Sequence, residues 1–560
     1  MKGKTILFAL CAVLWVCQVA GYGTYRYEIP NGERIQHPCK PNFYWKGVGH
    51  RNQQGGGARN QFGLDFARNG HKWNRDLCLK DSDGDGLTNG QELGDPQCTW
   101  SKGEVPASID GLSHPGVCTP FGSPNCSGMN DWVDCSSEEF NCTALDSPDT
   151  QNLTLRFPRT QVPAQETTYK CMLFDVPQDQ DYHVVAIKPY IDNDNVMHHI
   201  LLYGCGEFDE TGDHPSGPYD CNMGAGNGCS DILGVWTLGN PGLCFHDKMG
   251  MLIGKNGYKK VALEFHWNNP ASESNWTDAS GMTLFFTDIL RPYNGGMMTI
   301  GQNFLEIPPG QPKTIATATC SPACTSAALN TSIHVTAALN HMHYLGSAQS
   351  VELRRDGEMV RYITDEPEYS YDNPIFNQFE DEIIIHPNDE LITTCQYTST
   401  YSKKWVYYGD ATSAEMCFTL IFFYPTEAMQ NKYCINWKSI ETCATRPVMV
   451  NGCNAYAFVY GYDPDGTQHY LKVKDNCHQG GSCHDDCRAA VTEAKAHPCL
   501  KGGDIADFVI NMLHGSTEGL EYLRLLDTCP TDNVFPCPTP NAGAQNTFST
   551  VLLLLIQMMF

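Results

Sequence analysis

The 560-residue sequence has no apolar run long enough to cross a bilayer as a helix. The longest stretches, Ile6 to Val16 and the almost wholly apolar Val551 to Phe560, fall well short of the about 20 residues that a span requires. It is also short of basic residues, with 37 Lys and Arg against 63 Asp and Glu and a formal net charge of −26. Such a chain has no electrostatic footing on a phosphate backbone, which removes nucleic acid as a partner. Gly-x-Ser-x-Gly, His-Glu-x-x-His and phosphate-loop patterns are missing, so hydrolase and nucleotide-binding chemistry lack their residues. Internal repeats and low-complexity tracts are missing too. Wholesale disorder is excluded by an apolar content of 41% and an aromatic content of 11%.

What the chain has in excess is cysteine, 27 residues, a count that implies an oxidising compartment. Lys2 and Lys4, the apolar run from Ile6 and the small residues Val19-Ala20-Gly21 are in the order of a secretory signal over residues 1–21. Removing it takes Cys11 and Cys17 and leaves 25 cysteines, so at least one thiol is free or paired between chains. Sequons at Asn125, Asn141, Asn152, Asn275 and Asn330 mark surface positions open to glycosylation in a secreted chain. Residues 541–560, a small polar segment and an apolar tail, read as a lipid-anchor (GPI) attachment signal or as a buried or trailing terminus. The expected location is secreted, in a secretory vesicle or on the extracellular cell surface, with membrane contact only through such an anchor.

The fold expected is mainly β. Residues 22–146 are rich in Gly, Asn and Cys, a segment held by disulfides and ions more than by a core. From Gln151 the texture changes to short apolar runs such as Val184-Val-Ala-Ile, Val261-Ala-Leu-Glu-Phe and Phe418-Thr-Leu-Ile-Phe-Phe-Tyr, separated by turn residues. That pattern predicts two consecutive antiparallel β-sandwiches, over 151–300 and 301–433, divided near Ile307-Pro-Pro-Gly-Gln-Pro, after Arg291-Pro-Tyr-Asn-Gly-Gly. Cysteines thicken again in an extension over 434–540, where Asp485 to Ala496 reads as helix. Its run Cys477 to Cys487 suits disulfides better than zinc in an oxidising compartment.

Within the first block, Asp81-Ser-Asp83-Gly-Asp85-Gly86-Leu87-Thr-Asn89-Gly-Gln-Glu92 fits the twelve-position calcium loop. Asp81, Asp83, Asp85, Asn89 and Glu92 supply side-chain oxygens, Leu87 a carbonyl, and Gly86 the sharp turn. No amphipathic helix flanks it on both sides, and Cys78 and Cys98 bracket it, so the ion is expected to be structural. Together with Gly55-Gly-Gly-Ala-Arg-Asn, Phe62-Gly-Leu-Asp-Phe, Trp73 and Leu77-Cys78, this loop resembles the temptin family of secreted molluscan pheromone-associated proteins. The resemblance implies an adhesive or protein-binding module with an extracellular protein partner.

Three histidine clusters lie farther along the chain: Met197-His198-His199-Ile-Leu-Leu-Tyr-Gly-Cys205, Leu263-Glu-Phe-His266-Trp, and Asn340-His341-Met342-His343-Tyr-Leu-Gly. In a strand His341 and His343 project from one face and can hold one ion together. His198 and His199 are adjacent, so both reach one ion only across a bulge or at a strand end. Imidazole suits copper, zinc, iron or nickel, and spacing alone does not choose among them or exclude packing histidines.

In their order, these motifs and Glu415-Met416-Cys417 resemble the copper type II, ascorbate-dependent monooxygenases, from about Leu155 to Tyr433. The resemblance implies two coppers per chain, the first held by His198, His199 and His266 and the second by His341, His343 and Met416, all six catalytic. It also implies disulfides Cys171–Cys221, Cys205–Cys229, Cys320–Cys434 and Cys395–Cys417, leaving Cys244 without an evident partner except in the extension. A thioether favours Cu(I), the state that takes dioxygen. The implied activity is hydroxylation of a C–H bond of a small molecule, an amine among the candidates, with dioxygen and ascorbate. The alternative is a catalytically silent extracellular binding protein of adhesive or pheromone type that keeps the fold. Two positions depart from the family: Leu339 stands where the peptidylglycine enzymes have an arginine, and Leu420 where both known branches have a tyrosine. A peptide carboxylate is therefore not the expected substrate. Glu264, on the strand leading to His266, reads either as a substrate-facing carboxylate or as a solvent-facing strand residue.

Overall fold

The computed structural model describes residues 22–529 apart from positions 41–42, 54, 56–57, 136–139, 207–214, 222–223, 227, 238–239, 270–271, 370, 372–373, 401, 430–431, 444–448 and 479–482. The signal segment, the tail from Asn541 and the odd cysteine's best remaining candidate, Cys537, lie outside the described residues. Twelve disulfides join 24 cysteines among those described.

The first block has a small core of Ile29, Ile35, Val48, Phe62, Phe66, Leu77 and Leu93. So few apolar side chains are reinforced by Cys39–Cys135, Cys78–Cys98 and Cys118–Cys126. Its helix Gln61–Arg68 starts at Asn60, whose side chain accepts the Gly63 amide as an N-cap. The block is bonded to the first sandwich. Cys142 pairs with Cys244, which corrects the expectation that Cys244 lacks a partner or finds one in the extension. Lys46 also reaches Asp194 at 2.5 Å, and Arg26 bonds Asn195, both on the turn ahead of His198.

Two β-sandwiches form the centre. In the first, one sheet runs in the order Gln151–Arg156, Gly281–Thr287, Asp181–Tyr190, Met249–Gly254, Tyr293–Asn294. It faces a five-stranded sheet ordered Tyr219–Asp220, Thr167–Asp175, Lys260–Asn268, Met197–Cys205, Cys229–Thr237. The strand Met197–Cys205 is buried at every residue, His198 and His199 included, which fits its interior place in the sheet. In the second sandwich, Phe376–Ile385, Ile333–His341, Cys417–Tyr424, Gly296–Gln302, Tyr433–Trp437 and Ile440–Cys443 make one sheet. The other holds Thr314–Cys320, Glu390–Tyr397, Gly346–Arg355 and Glu358–Glu366, and Glu390–Tyr397 alternates half-buried with buried residues along its length.

The chain changes sandwich at Gly295, because Tyr293–Asn294 pairs with the first unit and Gly296–Gln302 with the second. The Ile307-Pro-Pro-Gly turn lies inside the second unit; proline and glycine punctuate a loop there without marking a boundary. The second sheet also takes in Tyr433–Trp437 and Ile440–Cys443, so the extension starts later than its cysteines suggest. The two sandwiches share an apolar core, in which Met297, Ala337, Leu339, Phe422 and Tyr424 of the second pack with Ile200, Met249 and Phe265 of the first.

Among its described residues the extension holds five helices, Ala455–Val459, Pro464–Asn476, Asp485–Lys495, Gly503–Leu513 and Thr517–Leu526, around Val473, Val491, Phe508 and Leu525. Cys453–Cys499, Cys477–Cys487 and Cys483–Cys529 staple it, so these sulfurs are not free to hold zinc.

Candidate metal centre

His199 lies directly opposite His266 across the ladder between Met197–Cys205 and Lys260–Asn268. The next pair is Trp267 with Met197, so His198 is the extra residue of a bulge. A bulge re-aims a side chain that strict alternation would send to the far face, and the three histidines converge. One ring nitrogen from each lies within 4.8 Å of the other two. The Nδ1 atoms of His198 and His199 are 3.1 Å apart. Two nitrogens bound at about 2.0 Å in tetrahedral geometry stand about 3.3 Å apart, so this spacing suits one ion. His198 and His199 thus present Nδ1 toward one point, and His266 Nδ1 is buried without a hydrogen-bond partner, as expected of a lone pair meant for a metal.

The surroundings fix the rings. Tyr169 stacks on His266 at 4.6 Å, and the Thr412 hydroxyl, carried by the second sandwich, lies 3.3 Å from His266 Nε2. Burial, with repulsion from neighbouring imidazoles, pushes His198 down to about 3 and holds His199 and His266 well below the usual range. The rings are neutral at physiological pH, the form that ligates.

His341 closes the strand Ile333–His341, and His343 lies two residues beyond that end. Their rings are 5.2 Å apart and perpendicular. His341 Nε2 is buried and unpartnered, and burial pushes that ring down to about 4. His343 Nδ1 lies 3.1 Å from the Ala414 carbonyl; donating there leaves Nε2 as the free lone pair. Met416 is 1% exposed. Its amide and the amides of His343 and Leu345 all donate to the carboxylate of Glu415, and Tyr397 donates to its carbonyl at 2.7 Å. The adjoining Cys417 is bridged to Cys395. These bonds bring the Met416 backbone beside the His343 turn. The two clusters face one another: the rings of His199 and His341 are 6.2 Å apart, across the junction of the sandwiches.

Glu415 is wholly buried, and burial pushes its carboxyl up to about 8 against the pull of its backbone donors. Its role has no signal in the sequence beyond adjacency to Met416. Glu264 is neither solvent-facing nor shown against a substrate. It is wholly buried, accepting from the Gly224 amide at 2.7 Å and the Tyr203 hydroxyl at 3.3 Å, and burial raises it to about 8. The two-residue offset from His266 places both on one face of a strand that is covered on that side, which corrects the solvent-facing expectation.

The acidic loop of the first block is also assembled. Oxygens of Asp81, Asp83 and Asp85 lie within 4.8 Å of one another, and Gly86 has φ +96°, a left-handed value that favours glycine. Asp83 Oδ2, Asn89 Oδ1 and Glu92 Oε2 are buried acceptors without partners. The Asn89 amide nitrogen donates to Leu77 O and Ser82 Oγ, leaving its oxygen for the loop. Burial and neighbouring carboxylates push Asp83 up to about 7 and Glu92 up to about 9. Crowded oxygens of this kind fit a hard cation.

The four disulfides implied by the family resemblance, Cys171–Cys221, Cys205–Cys229, Cys320–Cys434 and Cys395–Cys417, are all present. The sequon asparagines Asn125, Asn141, Asn152, Asn275 and Asn330 are all exposed.

Three family models match the chain: Temptin C-terminal over residues 19–117, and the N-terminal and C-terminal domains of copper type II ascorbate-dependent monooxygenase over 153–274 and 293–447. Among similar proteins, DBH-like monooxygenase protein 1 of Gallus gallus is 33% identical over 278 residues, 47% of this chain and 45% of that protein. Dopamine beta-hydroxylase of Bos taurus is 29% identical over 292 residues, 50% of this chain and 48% of that one. Tyramine beta-hydroxylase of Caenorhabditis briggsae is 28% identical over 279 residues, 48% and 47% respectively. The chain thus spans about half the length of the curated relatives it matches.

Proposed function

Because the chain belongs to the copper type II ascorbate-dependent monooxygenases, with a temptin-like block ahead of its two copper domains, we propose that it is an extracellular or secretory-vesicle enzyme hydroxylating a C–H bond of a small, largely apolar substrate. His198, His199 and His266 would hold one copper, and His341, His343 and Met416 the other. Copper in such sites supplies one-electron transfer and dioxygen activation, with ascorbate as reductant. The observation that supports the reading is the bulge at His198, which brings three buried imidazoles together and faces them toward His341.

The chain's own residues do the positioning. The Ala414 carbonyl sets the His343 tautomer, Glu415 fixes the His343 turn and Met416 together, and Thr412 ties the second sandwich to His266. Leu339 and Leu420 offer no partner to a carboxylate, which favours an apolar substrate, an aromatic amine among them. Metal analysis after copper reconstitution, with ascorbate-driven oxygen uptake over a panel of amines and lipophilic compounds, tests the reading. Less than one copper per chain sinks it.

The Asp81–Glu92 loop would hold a structural calcium through Asp81, Asp83, Asp85, Asn89, Glu92 and the Leu87 carbonyl, and the five exposed sequons would carry glycans. A second reading, a silent binding protein, is favoured by Leu420 and by the temptin-like block. It requires partner binding that survives His341→Ala and Met416→Ala.

A further inference from the structure

Between the two sheets of the second sandwich lies a set of polar side chains that belongs to neither histidine cluster. Asn340 and Thr419 are direct partners across the ladder between Ile333–His341 and Cys417–Tyr424. Gln349 and Glu366 are direct partners across the ladder between Gly346–Arg355 and Glu358–Glu366, in the opposite sheet. All four are buried, Asn340 and Thr419 completely. Asn340 immediately precedes His341, and Thr419 stands three residues after Met416.

The hydrogen bonds among them run in one direction. Gln349 Nε2 donates to the Phe418 carbonyl at 2.7 Å and to Thr419 Oγ1 at 2.9 Å. A carbonyl only accepts, so the orientation of the Gln349 amide is fixed. The Thr419 hydroxyl donates to Asn340 Oδ1 at 2.9 Å, where the Thr364 hydroxyl also donates at 3.0 Å. Asn340 Nδ2 in turn donates to Glu366 Oε1 at 3.0 Å. Two acceptors are left over: Gln349 Oε1 and Glu366 Oε2 are buried without a hydrogen-bond partner. They belong to residues that stand opposite one another in the ladder, a relation that brings Cβ atoms to about 4.5–5.5 Å. Two buried acceptors side by side are costly unless a proton lies between them. Burial pushes the Glu366 carboxyl up to about 7, against hydrogen bonds from Asn340, Asn377 and the Ile375 amide.

We propose that Glu366 is a neutral carboxylic acid whose Oε2–H donates to Gln349 Oε1, closing a ring of hydrogen bonds from Glu366 to Gln349, Thr419, Asn340 and back, and that it thereby acts as a positioning residue for His341 and Met416. The ring joins the two sheets at the place where the strands of those two side chains meet. Its action passes through the backbone of Asn340 and of Thr419. The ring needs no metal; the positioning role rests on the proposed assignment of the second metal site.

The test uses the full chain. Infrared difference spectra between metal-free wild type and Glu366→Gln, in mildly acidic buffer, are expected to show one protonated-carboxyl stretch that the variant lacks. An ionised carboxylate band in its place overturns the ring. Glu366→Gln keeps an oxygen for Asn340 and an N–H for Gln349, whereas Glu366→Leu keeps neither. After loading with cuprous ion, sulfur scattering in the copper X-ray absorption spectrum reports the Met416 thioether. Wild type and Glu366→Gln are expected to show it equally. Glu366→Leu is expected to weaken cuprous binding at that site about tenfold and to lose most of the sulfur signal. If that variant does not fold, Glu366→Asp, one methylene short of Gln349, supplies the same comparison. Equal affinity and scattering in all variants overturn the positioning role, as does a Glu366→Gln that behaves like Glu366→Leu. A fully loaded wild type without sulfur scattering overturns the metal-site assignment and the positioning role together, while the infrared band still decides the ring.

Discussion

Leu339 and Leu420 are direct partners across the ladder between Ile333–His341 and Cys417–Tyr424. The two positions that depart from the family pattern are thus one apolar pair here, two residues from His341 on one side and four from Met416 on the other. Both pack in the core shared by the sandwiches. We expect turnover to fall as carboxylate or other charge is added to a substrate series, measured as kcat/KM. Leu339→Arg should cost activity on apolar substrates, since it buries an unpaired cation, by about 10²-fold or more. Preference for peptides with a free C-terminal carboxylate in the unaltered protein would contradict this.

Removing one ligand from either cluster should empty that site alone. His199→Ala and His343→Ala are each expected to retain about one copper per chain against about two in the wild type, with both variants inactive. Spectra of the remaining cupric ion should differ between them. Identical spectra would mean that the two sets are not independent sites.

Glu382 ties the sandwiches electrostatically. It belongs to the second and meets Lys248 of the first at 2.6 Å, His246 at 3.5 Å, and His334 of its own sheet at 3.2 Å. Burial alone would raise its carboxyl, but bonds from Lys248 and Tyr424 with the charges of Lys248 and His246 bring it down to about 2. A depressed folded pKa contributes stability present in full above the unfolded value of 4.5 and lost as pH falls from there toward 2. Glu382→Gln should therefore destabilise by about 1–2 kcal/mol at neutral pH, and the difference from wild type should vanish near pH 2. Denaturant midpoints at stepped pH provide the check; a difference that persists at low pH would assign the loss to packing.

Cys142–Cys244 closes a separation of 102 residues between the first block and the first sandwich. Replacing both by Ser should leave each unit folded but lower the midpoint of the first block, by about 2–4 kcal/mol in chain-entropy terms. Scanning calorimetry should then resolve an extra, earlier transition. A single unchanged transition would show that Lys46–Asp194 and the neighbouring contacts suffice.

Calcium removal should act on the first block only. A chelator, or Glu92→Gln, is expected to lower its midpoint and leave copper content unchanged. Equal midpoints with and without the ion would leave the loop an acidic turn.

The first histidine set is legible in the chain without its fold to the extent that His198, His199 and His266 stand in short strand motifs that the structure brings together. The adjacent histidines pose a geometrical problem, and the bulge at His198 solves it in one of the two ways alternation allows. What stays illegible depends on long-range packing. Nothing in the sequence near Tyr371 says that its ring will lie on His198, 173 positions earlier in number, and nothing near Cys142 points to Cys244. Glu264 is obscure for the same reason: period-two alternation tells which residues share a face, not whether another layer covers it. The domain crossing at Gly295 falls within Arg291-Pro-Tyr-Asn-Gly-Gly, ahead of the more conspicuous Pro-Pro-Gly turn, which merely bends a loop.

Lys46 and Arg26 grip Asp194 and Asn195, and His198 comes only three residues after Asn195. The leading module is therefore harnessed to the hinge of the first histidine set rather than trailing as a separate appendage. A force or a ligand applied to that module has a short path to the first histidine set, and a graft that swaps the module for another must rebuild these contacts or leave the turn slack.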